Sequence, residues 1–175
     1  MEIVERMREG NRVYLQHGNE ALRIETAQNG QHPYAVVICC SDSRVIPEQI
    51  FHADVGELFV IRVAGNVLDR HQLGSVEYAA AHLGCSLVLM LGHTQCGAVG
   101  AALHGETDGW ISFITKDIQK AIGMERDPDE ACRRNVAHGV ETLRKAFLAQ
   151  PETAGIEIKG AIYDIRTGEV EWLTV

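Results

Sequence analysis

Two short apolar runs, residues 35–40 and 86–91, most constrain what this chain can fold into. Both are continuous stretches of small, β-branched and aliphatic residues with no polar alternation. Such runs suit strands buried on both faces, as in a parallel sheet covered by helices. Each ends abruptly. The first runs into Cys40-Ser41-Asp42-Ser43-Arg44 and the second into Gly92-His93-Thr94-Gln95-Cys96-Gly97. Ligands of open parallel sheets bind at the carboxyl ends of strands, so both runs are aimed at a site.

The remaining chain supplies the layers around those strands. Residues 1–28 read as helical, with Ile3, Val4, Met7, Val13 and Tyr14 on apolar faces and Gly10 and Gly18 as breaks. These faces are thin for a core helix, so the segment is read as an arm that packs on a partner subunit. Pro47 opens a short helix through Phe51, and a second apolar run, 58–63, closes at Ala64-Gly65-Asn66. A helix over 73–83 stops at Gly84. Small residues over 97–102 predict a helix close against the sheet, followed by helices over 111–122 and 130–149. Strands at 158–165 and 170–173 flank a hairpin signal at Arg166-Thr167-Gly168-Glu169. The expected fold is α/β: a mainly parallel sheet of four strands plus an antiparallel C-terminal edge strand, flanked by helices, with an N-terminal helical arm. A single domain over 1–175 is expected.

Charge and cysteine usage narrow the function classes. The formal net charge of −8 argues against a nucleic-acid or anionic-membrane surface. No apolar run approaches a membrane span, and the acidic start does not read as a signal peptide. Five cysteines, an odd set with two adjacent, have no disulfide-framework spacing. That favours a reducing cytoplasm with some cysteines as metal ligands.

Cys40, His93 and Cys96 are soft or borderline ligands, and a two-thiolate, one-imidazole set on zinc leaves a fourth position open. The three-residue step from His93 to Cys96 lets both reach one metal from a strand end and the next helix turn. Buried cysteines are often only small hydrophobes, and Cys39 and Cys85 are read that way. Asp42 and Arg44 polarise the surroundings of Cys40 and set it apart. No Walker lysine loop and no dinucleotide glycine motif follows a strand.

Cys40-Ser41-Asp42-Ser43-Arg44 followed by Gly92-His93-Thr94-Gln95-Cys96-Gly97 resembles the β-class carbonic anhydrases. Gly56-Glu57-Leu58-Phe59-Val60-Ile61-Arg62, Ala64-Gly65-Asn66 and Ser75-Val76-Glu77-Tyr78-Ala79 extend the likeness, which runs from about Gln31 to Leu103. The resemblance implies zinc held by Cys40, His93 and Cys96, with an Asp42–Arg44 dyad beside it. It implies reversible hydration of CO2 to bicarbonate and a proton by hydroxide activated on zinc. Asp42 would orient that hydroxide or, in closed forms, become a fourth ligand. A homodimer or dimer of dimers, with pockets at the interface, is implied too. Matched to the plant-like subgroup, Gln31 is a substrate-binding glutamine, and Phe59, Ala64, Tyr78 and Gly97 line the substrate pocket. Two departures stand out: Val63 replaces the usual Asn after the strand Arg, and Val37 stands where the bicarbonate-regulated subgroup has Trp.

A hydrolase of carbonyl sulfide or carbon disulfide would show the same motifs, because those linear molecules are open to the same nucleophile. An inactive zinc-stabilised interaction protein is disfavoured, since a purely structural site has no use for Asp42 and Arg44 beside an open position.

Overall fold

The computed structural model describes residues 2–147, 153 and 155–175. They divide into two compact units, one ending at Gln31 and the other spanning His32–Val175. The first unit holds α1 (Ile3–His17) and α2 (Glu20–Asn29). Gly10 is carried inside α1, whereas the chain does turn at Gly18, and Asn19 caps α2 by accepting from the Leu22 N–H at 3.1 Å. Neither helix has a buried residue, and Ile3 and Met7 are 79% and 72% exposed.

The second unit is built on a five-stranded sheet of β1 (Ala35–Cys39), β2 (Leu58–Arg62), β3 (Leu87–His93), β4 (Glu157–Tyr163) and β5 (Val170–Leu173). The order is β2-β1-β3-β4-β5; the first four are parallel and β5 runs antiparallel on the edge. The α/β architecture expected from the sequence is therefore the one observed. From β1 the chain moves to one side for β2 and to the other for β3. The switch point thus lies between the carboxyl ends of β1 and β3, where an open α/β sheet forms its crevice.

Alternation along β1 decides which cysteine faces which layer. Val36, Ile38 and Cys40 point into the large cluster under the helices α4 (Arg70–Leu83), α5 (Gly97–Leu103), α6 (Ile111–Ile122) and α7 (Pro128–Phe147). Val37 and Cys39 face a smaller cluster with Leu89, Leu91 and Val45, near the short helix α3 (Pro47–Ile50). Full burial of each large aliphatic side chain is worth about 1.5–3 kcal/mol, so the helical face dominates the core. Among the described residues no helix is long and apolar enough to cross a membrane.

Several boundaries differ from the sequence expectation, each for a local reason. α4 starts at Arg70 rather than 73, because Asp69 and Gln72 form a reciprocal capping box. α7 starts at Pro128, where a missing N–H costs nothing, and Asp127 accepts from the Glu130 N–H at 2.8 Å. The expected continuation of this helix to 149 lies outside the described residues. β4 ends at Tyr163 because Asp164 turns the chain, accepting from the N–H groups of Arg166 and Thr167 at 2.8 and 2.9 Å.

Candidate metal centre

β1 and β3 deliver the site directly. β1 ends at Cys39, so Cys40 is the first residue past it; β3 ends on His93, and Cys96 caps α5. The ligand atoms of Cys40, His93 and Cys96 all lie within 4.8 Å of one another, and all three residues are buried.

Gly92 lets the layers close over this point. A Cβ there would sit 2.5 Å from Val136 Cγ2 of α7 and 2.9 Å from Ile162 Cδ1 of β4. Only a residue without a side chain allows α7 to lie so near the strand just before His93.

The donor set fits a zinc ion. His93 Nδ1 contacts the Thr94 carbonyl oxygen at 2.8 Å, so Nδ1 carries the proton and donates it. That leaves Nε2 as the lone-pair nitrogen, and it is a buried atom with no hydrogen-bond partner. Buried polar atoms are rarely left so, and an imidazole oriented by a carbonyl on its far nitrogen is the usual form of a metal-binding histidine. Two sulfurs and one imidazole nitrogen are ligands that zinc accepts.

Electrostatics separate the five cysteines, all of them free. The Cys96 thiol beside Cys40 is the main cause of a Cys40 pKa well below the ordinary thiol value, with backbone N–H groups of Gly65 and Asp42 helping. The same interaction pushes Cys96 strongly up, so in the metal-free centre the two sulfurs share one proton. For His93, burial alone would favour the neutral ring, but the neighbouring Cys40 sulfur and the Thr94 carbonyl outweigh it and raise its pKa. Cys39 is pushed up to about 12 by burial. Cys85 donates to the Pro33 carbonyl at 3.2 Å. Cys132, on α7, is raised to about 11 by burial, against the pull of the Cys96 backbone N–H.

Asp42 and Arg44 form a closed pair at the mouth. Arg44 Nε and one terminal nitrogen donate to the two carboxylate oxygens at 2.9 and 2.8 Å, and the Arg44 backbone N–H adds a third bond at 3.0 Å. The Arg44 side chain holds the Asp42 carboxyl well below the usual carboxylate range. The same guanidinium reaches the Gln95 carbonyl at 3.4 Å, tying the turn after β1 to the turn after β3. Asp42 is engaged by Arg44 and is not among the three clustered ligands.

The other residues singled out from the sequence are dispersed. Ala64 precedes Gly65, whose N–H donates to Cys40 Sγ at 3.2 Å, and Gly97 opens α5 directly after Cys96. Phe59 and Tyr78 meet as a ring pair with centroids 6.2 Å apart. Phe59, however, is in register with Val36, four residues back from Cys40. That is roughly 13 Å along the strand. Gln31 is exposed and closes the first unit.

Two supporting residues escaped the sequence reading. Arg62, at the end of β2, donates to the backbone carbonyls of Cys40 and Asp42 at 3.3 and 2.7 Å and so braces the ligand turn. Asn135 donates from α7 to the Gly65 carbonyl at 2.8 Å. The available signals were a charge closing an apolar strand and one polar residue on an otherwise apolar helix face.

Comparison with known proteins agrees with this geometry. A family model described as carbonic anhydrase matches residues 35–170. The chain is 43% identical over 180 residues to carbonic anhydrase 2 of Mycobacterium tuberculosis, covering 93% of this chain and 87% of that protein. It is 38% identical over 154 residues to a carbonic anhydrase of Mycolicibacterium smegmatis, covering 81% and 75%. Among solved structures, the Coccomyxa β-carbonic anhydrase in complex with acetazolamide superposes with a TM-score of 0.80 at 27% identity, over 99% of this chain and 87% of that one. The β-carbonic anhydrase CcaA superposes with a TM-score of 0.76 at 27% identity, over 95% and 86%.

Proposed function

This chain belongs to the β-class carbonic anhydrases, and we propose on that premise that it catalyses the zinc-dependent, reversible hydration of CO2 to bicarbonate and a proton. The observation that carries the reading is the buried cluster of Cys40, His93 and Cys96 with its unpartnered His93 Nε2. Those residues would hold the zinc. When bound, the ion acts as a Lewis acid that lowers the pKa of water toward neutrality and so supplies a nucleophile at ordinary pH.

The protein's own groups then do the orienting. Asp42, kept ionised by the two-point clasp of Arg44, accepts the hydrogen of the attacking O–H and aims its lone pair at the carbon. Arg44 keeps that carboxylate from turning inward. CO2 has no net dipole, so a small apolar wall suits it; Ala64 contributes from beside the cluster, and the Gly97 N–H is a donor for a developing bicarbonate oxygen. Gln31 is assigned its amide role by its spacing from Cys40 in the family pattern alone.

A homodimer completes this reading. Phe59 lies far along the strand from its own cluster, and Tyr78 on α4 pairs its ring with Phe59 and is half exposed, which suits a pocket wall offered to a second copy. The helices of the first unit, with no buried residue, suit an arm that packs on a partner subunit. Five free cysteines favour a reducing cytoplasmic location.

Stopped-flow CO2 hydration by zinc-loaded protein tests the proposal, with carbonyl sulfide and carbon disulfide run in parallel. CO2 turnover that disappears in Cys40→Ala is expected. Turnover of either sulfur substrate with none of CO2 would overturn the assignment.

A further inference from the structure

We infer that Asn135 is a positioning residue for the metal centre: acting through Gly65, it holds an N–H on the Cys40 sulfur and thereby sets how strongly that thiolate donates to the metal. The inference rests on the reading that Cys40, His93 and Cys96 hold zinc, and it concerns the layer of residues behind them.

α7 buries a face that runs from Ala131 to Phe147, and Asn135 is the one residue on it that is not apolar, glycine or cysteine. It is 6% exposed. A buried amide is unfavourable unless its hydrogen bonds are made, so this position demands a partner. The partner is the Gly65 carbonyl, 2.8 Å from Asn135 Nδ2 and 70 residues away in sequence.

Gly65 passes the constraint on. Its φ of 68° and ψ of 15° are left-handed, and the following Asn66 also has positive φ, at 43°. With the Gly65 carbonyl taken by Asn135, its N–H points to Cys40 Sγ at 3.2 Å. No other residue fits: the φ is unfavourable to a side chain, and a Cβ would lie 2.7 Å from Ile118 Cδ1 and 3.0 Å from Ala98 Cβ. The carbonyl lies in the Gly65–Asn66 peptide and the N–H in the Ala64–Gly65 peptide, so the two are coupled through the Gly65 Cα. Without the Asn135 donor the buried carbonyl must find another partner, and the change of φ and ψ at Gly65 that this requires takes the N–H off the sulfur.

The consequence is electronic as well as positional. An N–H aimed at a thiolate withdraws charge from it, so the sulfur gives less to the metal and the metal polarises water more strongly. Groups behind a ligand commonly change metal affinity or activity about 10- to 100-fold. Thiolates oppose acidification of water, so relieving one of them favours activity at neutral pH. The Gly65 bond falls on Cys40, whereas Cys96 has its own backbone donor in the Val99 N–H, so loss of the Asn135 link acts on the Cys40 sulfur alone.

Cobalt(II)-substituted protein provides a readout independent of turnover. In Asn135→Leu, close in size but without a donor, the sulfur-to-cobalt charge-transfer absorption is expected at longer wavelength than in the wild type. The midpoint of the kcat–pH profile of the zinc form should move to higher pH, with kcat/KM near neutrality about 10-fold lower. Val140→Ala, five residues further along the same buried face, should lose thermal stability and move neither. Bands and midpoint unchanged in Asn135→Leu would overturn the inference. Wild-type protein without any charge-transfer band would overturn the zinc reading beneath it. Should Asn135→Leu not fold, the wild type loaded with cadmium-113 decides. A scalar coupling between the metal and the Gly65 amide proton supports the bond across sulfur, and its absence refutes it.

Discussion

Gly92→Ala tests whether close packing of α7 on β3 builds the centre. The added methyl would lie 2.5 Å from Val136 Cγ2 and 2.9 Å from Ile162 Cδ1. Carbon atoms need about 3.5–4.0 Å, so α7 must retreat by about 1 Å or Val136 must leave its rotamer. Overpacking of this kind costs roughly 1–3 kcal/mol. At this chain length each kcal/mol lowers Tm by about 2–4 °C, which puts the fall near 4–8 °C for a cost of about 2 kcal/mol. Val136→Ala alone removes two buried carbons and leaves a cavity, for about 2–3 kcal/mol. In the double variant the new methyl enters the space that Val136 vacates. The combined loss should then be smaller than the sum by about 1 kcal/mol or more. Thermal unfolding of the four zinc-loaded proteins, at one fixed concentration because metal and subunit binding both shift Tm, measures the cycle. Strict additivity would show that the two residues are not opposed, and the packing argument for the site would fail.

The other predictions concern the site. If Asp42 orients the nucleophile as proposed and does not ligate, Arg44→Ala and Asp42→Ala should each keep stoichiometric zinc by metal analysis while losing most CO2 hydration; full activity in Asp42→Ala would make the pair merely structural. Zinc binding should release protons: the one that Cys40 and Cys96 share must leave at any ordinary pH, and His93, whose pKa is raised, gives a second below its own pKa. Affinity should therefore weaken by about tenfold or more for each unit of falling pH, and calorimetry in buffers of different ionisation enthalpy counts the protons. Co-expression of Cys40→Ala with Tyr78→Ala should restore about a quarter of wild-type activity if Tyr78 serves the partner's pocket, since half of the random dimers carry one intact site; no recovery would place Tyr78 in its own subunit's site.

The parts of the fold legible in the sequence were those that announce themselves locally. The runs in β1 and β3 are apolar throughout and stop at a thiol and an imidazole, so both the strands and the ligands at their ends could be read together. The start of α4 was missed although Asp69 and Gln72 have capping-box spacing, because the reading began at the first apolar periodic residue, Leu73. What lies behind the ligands was not legible. Asn135 and Gly65 are joined across 70 residues, and no spacing rule connects a helix face to a left-handed turn. Arg62 braces Cys40 and Asp42 through their carbonyls; the sequence shows a charge closing the apolar run of β2 but not which turn that charge reaches. The placement of Phe59 depends on strand register, which fixes how far along β2 it falls, and that of Tyr78 on how α4 packs beside β2; neither can be counted from the motifs alone.

The central claim is that Cys40, His93 and Cys96 together hold one zinc. Zinc K-edge X-ray absorption on the purified wild type, at high pH and with metal content measured on the same sample, tests it most directly. The account predicts one zinc per chain, bound by two sulfurs and two lighter atoms, one of the latter an imidazole nitrogen. A spectrum with no sulfur, or with four sulfurs, would contradict it.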